Sequence, residues 1–249
     1  MLMWSGAGLI WLWQSSPSPR ALARAVPIAA ASDNPYWAGW VATQNGPYSA
    51  VRATWTVPAM PCSATGGSNA TTYIWVGEGG YLRGIASNLI QAGTASDCID
   101  GVERYHAFYE WYPGIFATDF PLTIHPGDTV AVTIDQTEVN YWTLSIRDET
   151  TGLQSTTATL YAADTGSAEF VVERPMLCTG WNCGQVQLGK FGQVTFLDAQ
   201  TWSAPAYAFT NVSAAQPVAL HDPVTNRVLA QPGRLVSPAP ALPVLWRSG

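Results

Sequence analysis

The sequence predicts an all-β fold, an antiparallel two-sheet β-sandwich of the concanavalin-like or jelly-roll type. Three observations carry that expectation. Apolar and polar residues alternate at period two over short stretches, Gly, Pro, Asn, Asp and Ser punctuate those stretches, and no helical periodicity is sustained over three turns. Alternation is strictest in DTVAVTID, where Asp128, Val130, Val132 and Ile134 share one face, and in NYWTLSIR, where Trp142, Leu144 and Ile146 oppose Tyr141, Thr143, Ser145 and Arg147. Each such strand buries one face. Joined by turns such as HPGD (His125 to Asp128) and ETTG (Glu149 to Gly152), they suit two sheets packed face to face.

In chain order, an apolar run from Gly6 to Trp13 precedes Ala-rich segments that fit A-x-A cleavage sites. Residues 1–33 therefore read as a signal peptide and short leader, although no Lys or Arg stands ahead of the run. No stretch reaches the roughly 18 apolar residues that a spanning helix needs. Strands follow one another from Tyr36, and residues 34–230 read as one β-sandwich domain: 249 residues with 47% hydrophobic content supply one large core. Gln231 to Pro243 is rich in Pro and Ala, so 231–249 reads as an extended tail with room for a last strand at Val244 to Trp246.

Only 11% of residues are charged, against roughly 25% in ordinary soluble domains, while Trp and Tyr number 12 and 10. That mix points outside the cytosol. A single lysine, Lys190, scattered arginines and a net charge of −6 exclude the clustered cations that bind nucleic acid or an anionic membrane surface. Four cysteines, Cys62, Cys98, Cys178 and Cys183, permit three pairings. The short loop in CTGWNC favours Cys178 with Cys183 and leaves Cys62 with Cys98. A zinc site is the rival reading, but neither local spacing is C-x2-C and no histidine lies close in sequence.

Several hydrolytic chemistries lack their residues. Asp164-Thr165-Gly166-Ser167 resembles the active-site turn of pepsin-like aspartic peptidases, but that chemistry needs two carboxylates sharing a proton and the chain has one such turn, which reads as a β-turn. The histidines, His106, His125 and His221, lie far apart, with no G-x-S-x-G elbow and no H-E-x-x-H. Carboxylate and amide chemistry remains. In SAEFVVERP, Glu169, Val171 and Glu173 share one face and Ala168, Phe170 and Val172 the other. A carboxylate among apolar neighbours is costly unless paired or neutral, so this strand either faces solvent or lines a cleft; by itself, the solvated face is the simpler reading. In ERYHAFYEWYP, Arg104, His106, Phe108, Glu110 and Tyr112 share a face. So aromatic a strand reads as core, or as the wall of a groove for an extended peptide or sugar.

Seven segments in order then resemble the glutamic peptidase (eqolisin) family, including its bacterial-type members. They are YWAGWV (Tyr36 to Val41), VRATWTVP (Val51 to Pro58), YIWVGEGG (Tyr73 to Gly80), LIQAG (Leu89 to Gly93), FYEWYP (Phe108 to Pro113), AEFVVERP (Ala168 to Pro175) and FGQVTF (Phe191 to Phe196). The resemblance implies a secreted acid endopeptidase with Gln91 and Glu169 as its catalytic pair. Glu169, with an unperturbed carboxylate value of about 4.3, would be ionised in mild acid and take a proton from water. Gln91, uncharged at any pH, would donate an N–H to the oxyanion. Trp37, Trp75, Glu78, Glu110, Tyr112 and Glu173 become substrate-contacting or supporting candidates by the same resemblance. Three positions depart from the fungal pattern: Glu78-Gly79 stand within its W-V-G-I-D-G, His106 replaces an Asp, and so does Lys190. The reading implies polypeptide substrates, a monomer, no metal and no cofactor.

A Trp-rich sandwich with surface carboxylates also describes carbohydrate-binding or glycoside-hydrolysing proteins. There Glu110 would face Glu169 at the separation that sets retaining or inverting geometry. In a peptidase Gln91 would face Glu169 instead.

Overall fold

The alternating segments form strands because each can bury a full apolar face while its backbone groups pair with neighbours. A computed structural model describes residues 31–81, 88–179, 182–203, 209–212, 214–235 and 241–249. Most of the leader read at 1–33 lies outside them. Among these residues the strands are β1 (Ser32–Asn34), β2 (Trp37–Ala42), β3 (Tyr48–Thr56), β4 (Ala70–Glu78), β5 (Leu89–Ile99), β6 (Val102–Tyr112), β7 (Ile115–Thr123), β8 (Thr129–Glu138), β9 (Tyr141–Asp148) and β10 (Gln154–Leu160). They continue with β11 (Ala168–Glu173), β12 (Met176–Thr179), β13 (Asn182–Gln185), β14 (Gln187–Leu188), β15 (Gln193–Ser203), β16 (Phe209–Asn211), β17 (Gln216–His221), β18 (Val228–Pro232) and β19 (Leu242–Trp246). DTVAVTID and NYWTLSIR lie largely on β8 and β9. The HPGD turn before β8 closes through His125 N–H to Asp128 Oδ2 at 2.7 Å. The ETTG turn is held by Asp148, which accepts from Thr150 N–H at 2.9 Å and Thr151 Oγ1 at 2.6 Å.

The chain is all-β and mainly antiparallel, but its hydrogen bonds do not make two separate sheets. They run continuously in the order β7-β6-β5-β4-β11-β2-β17-β18-β19-β15-β3-β8-β9-β10, with β1, β14 and β16 added at the sides. The join is β15, whose residues 193–196 pair with β19 and whose residues 197–203 pair with β3 across a bulge. A bulge bends a strand and increases its twist, which lets one strand serve both layers. β12 and β13 form a separate hairpin. Residues 231–249, expected as a tail, include β19, which sits between β15 and β18 with Leu242 and Val244 fully buried.

The main core lies between the two layers. Trp40 and Phe170 from one layer meet Trp55 from the other around Phe196, with Trp55 and Phe170 edge-on to Phe196 at 5.4 and 6.0 Å between ring centroids. Burying each such side chain contributes about 1.5–3 kcal/mol. Cys62 and Cys98 form a disulfide across a sequence separation of 36. Cys183 is disulfide-bonded and its register partner is Cys178, whose side chain lies outside the described residues. Loop closure over the Cys62–Cys98 span corresponds to roughly 4 kcal/mol in the chain-entropy limit. Replacing both cysteines with alanine is therefore expected to lower the urea-unfolding free energy by about 3–4 kcal/mol and to steepen the slope, because the unfolded chain expands. Among the described residues no helix is long and apolar enough to cross a membrane.

Candidate active site

β11 lies between β2 and β4, and that placement decides what its two faces meet. Ala168, Phe170 and Val172 enter the main core, as alternation predicts. The face carrying Glu169, Val171 and Glu173 is not solvated. Trp37, Trp75, Leu89, Ala95, Phe108 and Val171 form a second apolar cluster over it, joined by Tyr36, Tyr73, Tyr81 and Tyr112. The sheet here is buried on both sides.

Directly paired residues of an antiparallel sheet project to the same face, so the register defines rows of side chains. One row runs Glu110, Gln91, Gly77, Glu169 across β6, β5, β4 and β11. The next runs Phe108, Gly93, Trp75, Val171, and the one after it His106, Ala95, Tyr73, Glu173, Trp37. Gln91 and Glu169 thus stand on either side of Gly77, about 10 Å apart at the backbone for two strand spacings. A Cβ at Gly77 would lie 2.9 Å from Trp75 Cζ3 and 3.2 Å from Gln91 Cβ. Glycine thus puts no side chain between the amide and the carboxyl, where the Trp75 ring packs close.

Gln91 is 3% exposed and Glu169 0%. Gln91 Nε2 donates to Glu110 Oε2 at 2.6 Å. Among the described residues Gln91 Oε1, both carboxyl oxygens of Glu169, both of Glu78 and Ser167 Oγ are buried without a hydrogen-bond partner. Orphaned buried polar atoms are rare in folded proteins and mark places where a ligand or water completes the bonding. Trp75 Nε1 donates to Glu173 Oε2 at 2.7 Å, and Trp37 packs edge-on against Trp75 at 5.0 Å. Tyr112, paired with Leu89, stands in the neighbouring row on the same face. Its carbonyl accepts from the Tyr161 hydroxyl, and its ring lies 6.1 Å from that of Phe116.

Burial sets the electrostatics. It pushes the Glu169 carboxyl well above its ordinary value, and Asp164 adds to that; Ser167 Oγ, close by but short of full hydrogen-bond geometry, pulls the other way. The ionisation in mild acid expected from the unperturbed carboxylate value does not carry over to so enclosed a site. Burial also raises Glu110 to about 7, against the pull of its bond from Gln91. It raises Glu173 to about 8, reinforced by Glu110 and opposed by Trp75 and Trp37.

Glu78 departs from the other candidates. It shares the row of Ile90 and Ala168, both in the main core, and is fully buried there. Burial first, then Glu169 and Asp135, hold its carboxyl well above the usual range. Alternation with Ile74 and Val76 carried that signal in the sequence. Gly77, Ser167 and Tyr48 were missed. Tyr48 is raised to about 12 by burial, then by Glu169 and Glu78. Ser167 ends the segment read as a β-turn, in which Gly166 N–H bonds Asp164 Oδ1 at 3.0 Å. His106, where fungal members carry Asp, lies two rows from Gln91 between Asp97 Oδ2 at 2.9 Å and Asp119 Oδ1 at 2.6 Å.

Fold and site together define an all-β protein whose buried reactive groups are carboxyls and one carboxamide; among the described residues no His, Cys, Asp and Glu cluster is placed to hold a metal. The chain belongs to the Peptidase A4 family, whose model matches residues 35–231. It is 31% identical over 191 residues to aspergillopepsin-2 of Aspergillus niger, covering 67% of this chain and 64% of that protein. Identity to scytalidopepsin B of Scytalidium lignicola is 29% over 192 residues, covering 73% and 65%. The chain thus spans just under two thirds of the length of these relatives. The crystal structure of scytalido-glutamic peptidase with a transition state analog inhibitor aligns with a TM-score of 0.71 at 23% identity, over 85% of this chain and 98% of that one. Aspergilloglutamic peptidase from Aspergillus niger aligns with a TM-score of 0.61 at 26% identity, over 72% and 99%.

Proposed function

We propose that this protein is a secreted, monomeric acid endopeptidase in which Glu169 is the general base and Gln91 stabilises the oxyanion. The observation that carries the reading is the row in which the two face each other across Gly77, buried and with unpartnered oxygens. A water in that gap meets the Glu169 carboxylate as proton acceptor. The water oxygen bonds to the scissile carbonyl carbon as its proton passes to Glu169, and the carbonyl oxygen becomes an oxyanion that accepts from Gln91 N–H. Glu169 then returns the proton to the amide nitrogen, the C–N bond breaks, and acid and amine leave with Glu169 again ionised. Because burial keeps Glu169 largely protonated in acid, the base is the ionised fraction, and a carboxylate so raised accepts the proton more strongly than an ordinary one. Trp37, Trp75 and Tyr112 supply an aromatic wall for an extended chain, and Glu173 fixes the Trp75 indole. The Cys62–Cys98 bond suits an oxidising compartment.

Sugar hydrolysis has less support. Glu110 is separated from Glu169 by both Gln91 and Gly77, about 14 Å at the backbone for three strand spacings, and Gln91 occupies its carboxyl. The test is digestion of an unfolded protein substrate between about pH 3 and 7 by wild type and Gln91→Ala. Loss of one oxyanion donor predicts a fall in kcat of roughly 10²–10³. Wild-type inactivity in folded, processed protein across that range would sink the reading, and a Gln91→Ala variant within a few-fold of wild type would remove Gln91 from it.

A further inference from the structure

Gln91 can serve an oxyanion only when an N–H, not its carbonyl oxygen, faces the gap, and Glu110 is the group that holds its other end. As placed, Nε2 donates to Glu110 Oε2 at 2.6 Å while Oε1 is buried with no partner. Half a turn about the terminal torsion exchanges the two atoms within nearly the same volume. Oε1 then meets Glu110, which must supply a proton to hold it.

We propose that Glu110 is a positioning residue whose protonation state orients the Gln91 amide: the acid form donates its O–H to Oε1 and leaves both N–H bonds to the gap, whereas the carboxylate, an acceptor only, draws Nε2 to itself. This rests on the reading of Gln91 as the oxyanion donor. The row geometry fixes the participants, since Gln91 lies between Glu110 and Gly77 with no other described partner for its amide. The groups facing Glu110 are Glu173 on β11, Tyr73 on β4, Tyr161 beyond β10 and, across Gly77, Glu169. These are acids and phenols, which oppose a second negative charge. Burial places the Glu110 transition at about 7, on the alkaline edge of the proposed working range. Turnover therefore declines as Glu110 ionises, with the protein still folded.

The test is the pH profile of kcat on a quenched-fluorescent peptide for wild type, Glu110→Gln and Glu110→Ala, over the range where tryptophan fluorescence reports a folded chain. Wild-type kcat is expected to fall about tenfold per pH unit above its limb, as for one titrating group. Glu110→Gln, whose NH2 donates to Oε1 at every pH, is expected to move that limb up by at least one pH unit. Glu110→Ala, with nothing to orient the amide, is expected to lower kcat at every pH and show no such limb. The side-chain NH2 signals of Gln91, identified by their loss in Gln91→Ala, should shift in wild type with a midpoint near 7 and stay fixed in Glu110→Gln. A wild-type limb retained in Glu110→Gln, or Gln91 signals that do not move between about pH 5 and 8, overturns the proposal. If the variants fail to fold, the wild-type signals decide it. A folded wild type inactive at every pH overturns the peptidase reading instead, and the amide signals still report the orientation.

Discussion

Glu169→Gln is expected to abolish peptide hydrolysis while making the protein more stable near neutral pH. Glutamine fills the same volume but takes no proton, so the water loses its base and the leaving nitrogen its acid. General acid–base catalysis is worth about 10²–10⁴ in rate. Because one group serves both steps, a fall of at least three orders of magnitude in kcat/KM is expected, as an order-of-magnitude figure. The stability change follows from burial. Glu169 is fully buried and held well above its ordinary value, so above that ordinary value the folded state keeps a proton the unfolded chain releases. Its stability contribution is present in acid and lost as pH rises. An amide has no such term, so the variant's advantage should be small at about pH 4 and grow as pH rises to about 7. Peptide turnover and urea unfolding at the two pH values check both halves. A variant within tenfold of wild-type turnover would exclude Glu169 as the base, and one less stable at both pH values would show that the carboxyl instead supports the fold.

The residues differ in how far the sequence alone reveals them. β8, β9 and one face of β11 were legible because each buries a face against a single core, which is what period two reports. Burial of the other face of β11 was not, since its cover comes from Trp37 before it and Tyr112 on another strand, and periodicity knows nothing of distant neighbours. Gln91 and Glu169 could be named only through the resemblance. Their facing each other depends on the registers β5 to β4 and β4 to β11 agreeing at Gly77, a residue with no side chain to attract notice. The joining of the layers through β15 was equally hidden, because it depends on a bulge at 197–200 rather than on the polarity of FGQVTF. Glu78 carried a readable signal in its alternation with Ile74 and Val76, outweighed by its place in a motif.

The buried carboxyls also dictate how stability depends on pH, and the expected effect is large. Burial raises Glu110 from 4.5 to about 7 and Glu173 from 4.5 to about 8, and pushes Glu78 and Glu169 upward as well. Each contributes stability that is fully present below the unfolded value and lost as pH climbs through the folded one. The window therefore opens near 4.5 and extends to about 8 and beyond. Glu110 alone corresponds to roughly 3 kcal/mol across its part of that window. Glu173 faces Glu110, so the two do not simply add, but a combined loss of several kcal/mol is a large share of the about 5–15 kcal/mol that holds a domain together. Opposite in sign, Asp148 lies below its usual range, with its turn bonds outweighing burial, and backbone N–H groups hold Asp222 at about 2. Their stabilisation is lost as pH falls through those lowered values, so it bounds the acid side. Urea unfolding at about pH 4.5, 6 and 8 should show a steady fall in unfolding free energy. Glu78→Ile should be more stable than wild type at the alkaline end by about 1–4 kcal/mol, because an apolar side chain replaces an unpartnered buried carboxyl among Ile90 and Ala168. A flat profile between about 4.5 and 8, or a Glu78→Ile variant weaker than wild type at alkaline pH, would mean that solvent or an ion reaches these carboxyls and that their burial does not confine the protein to acid.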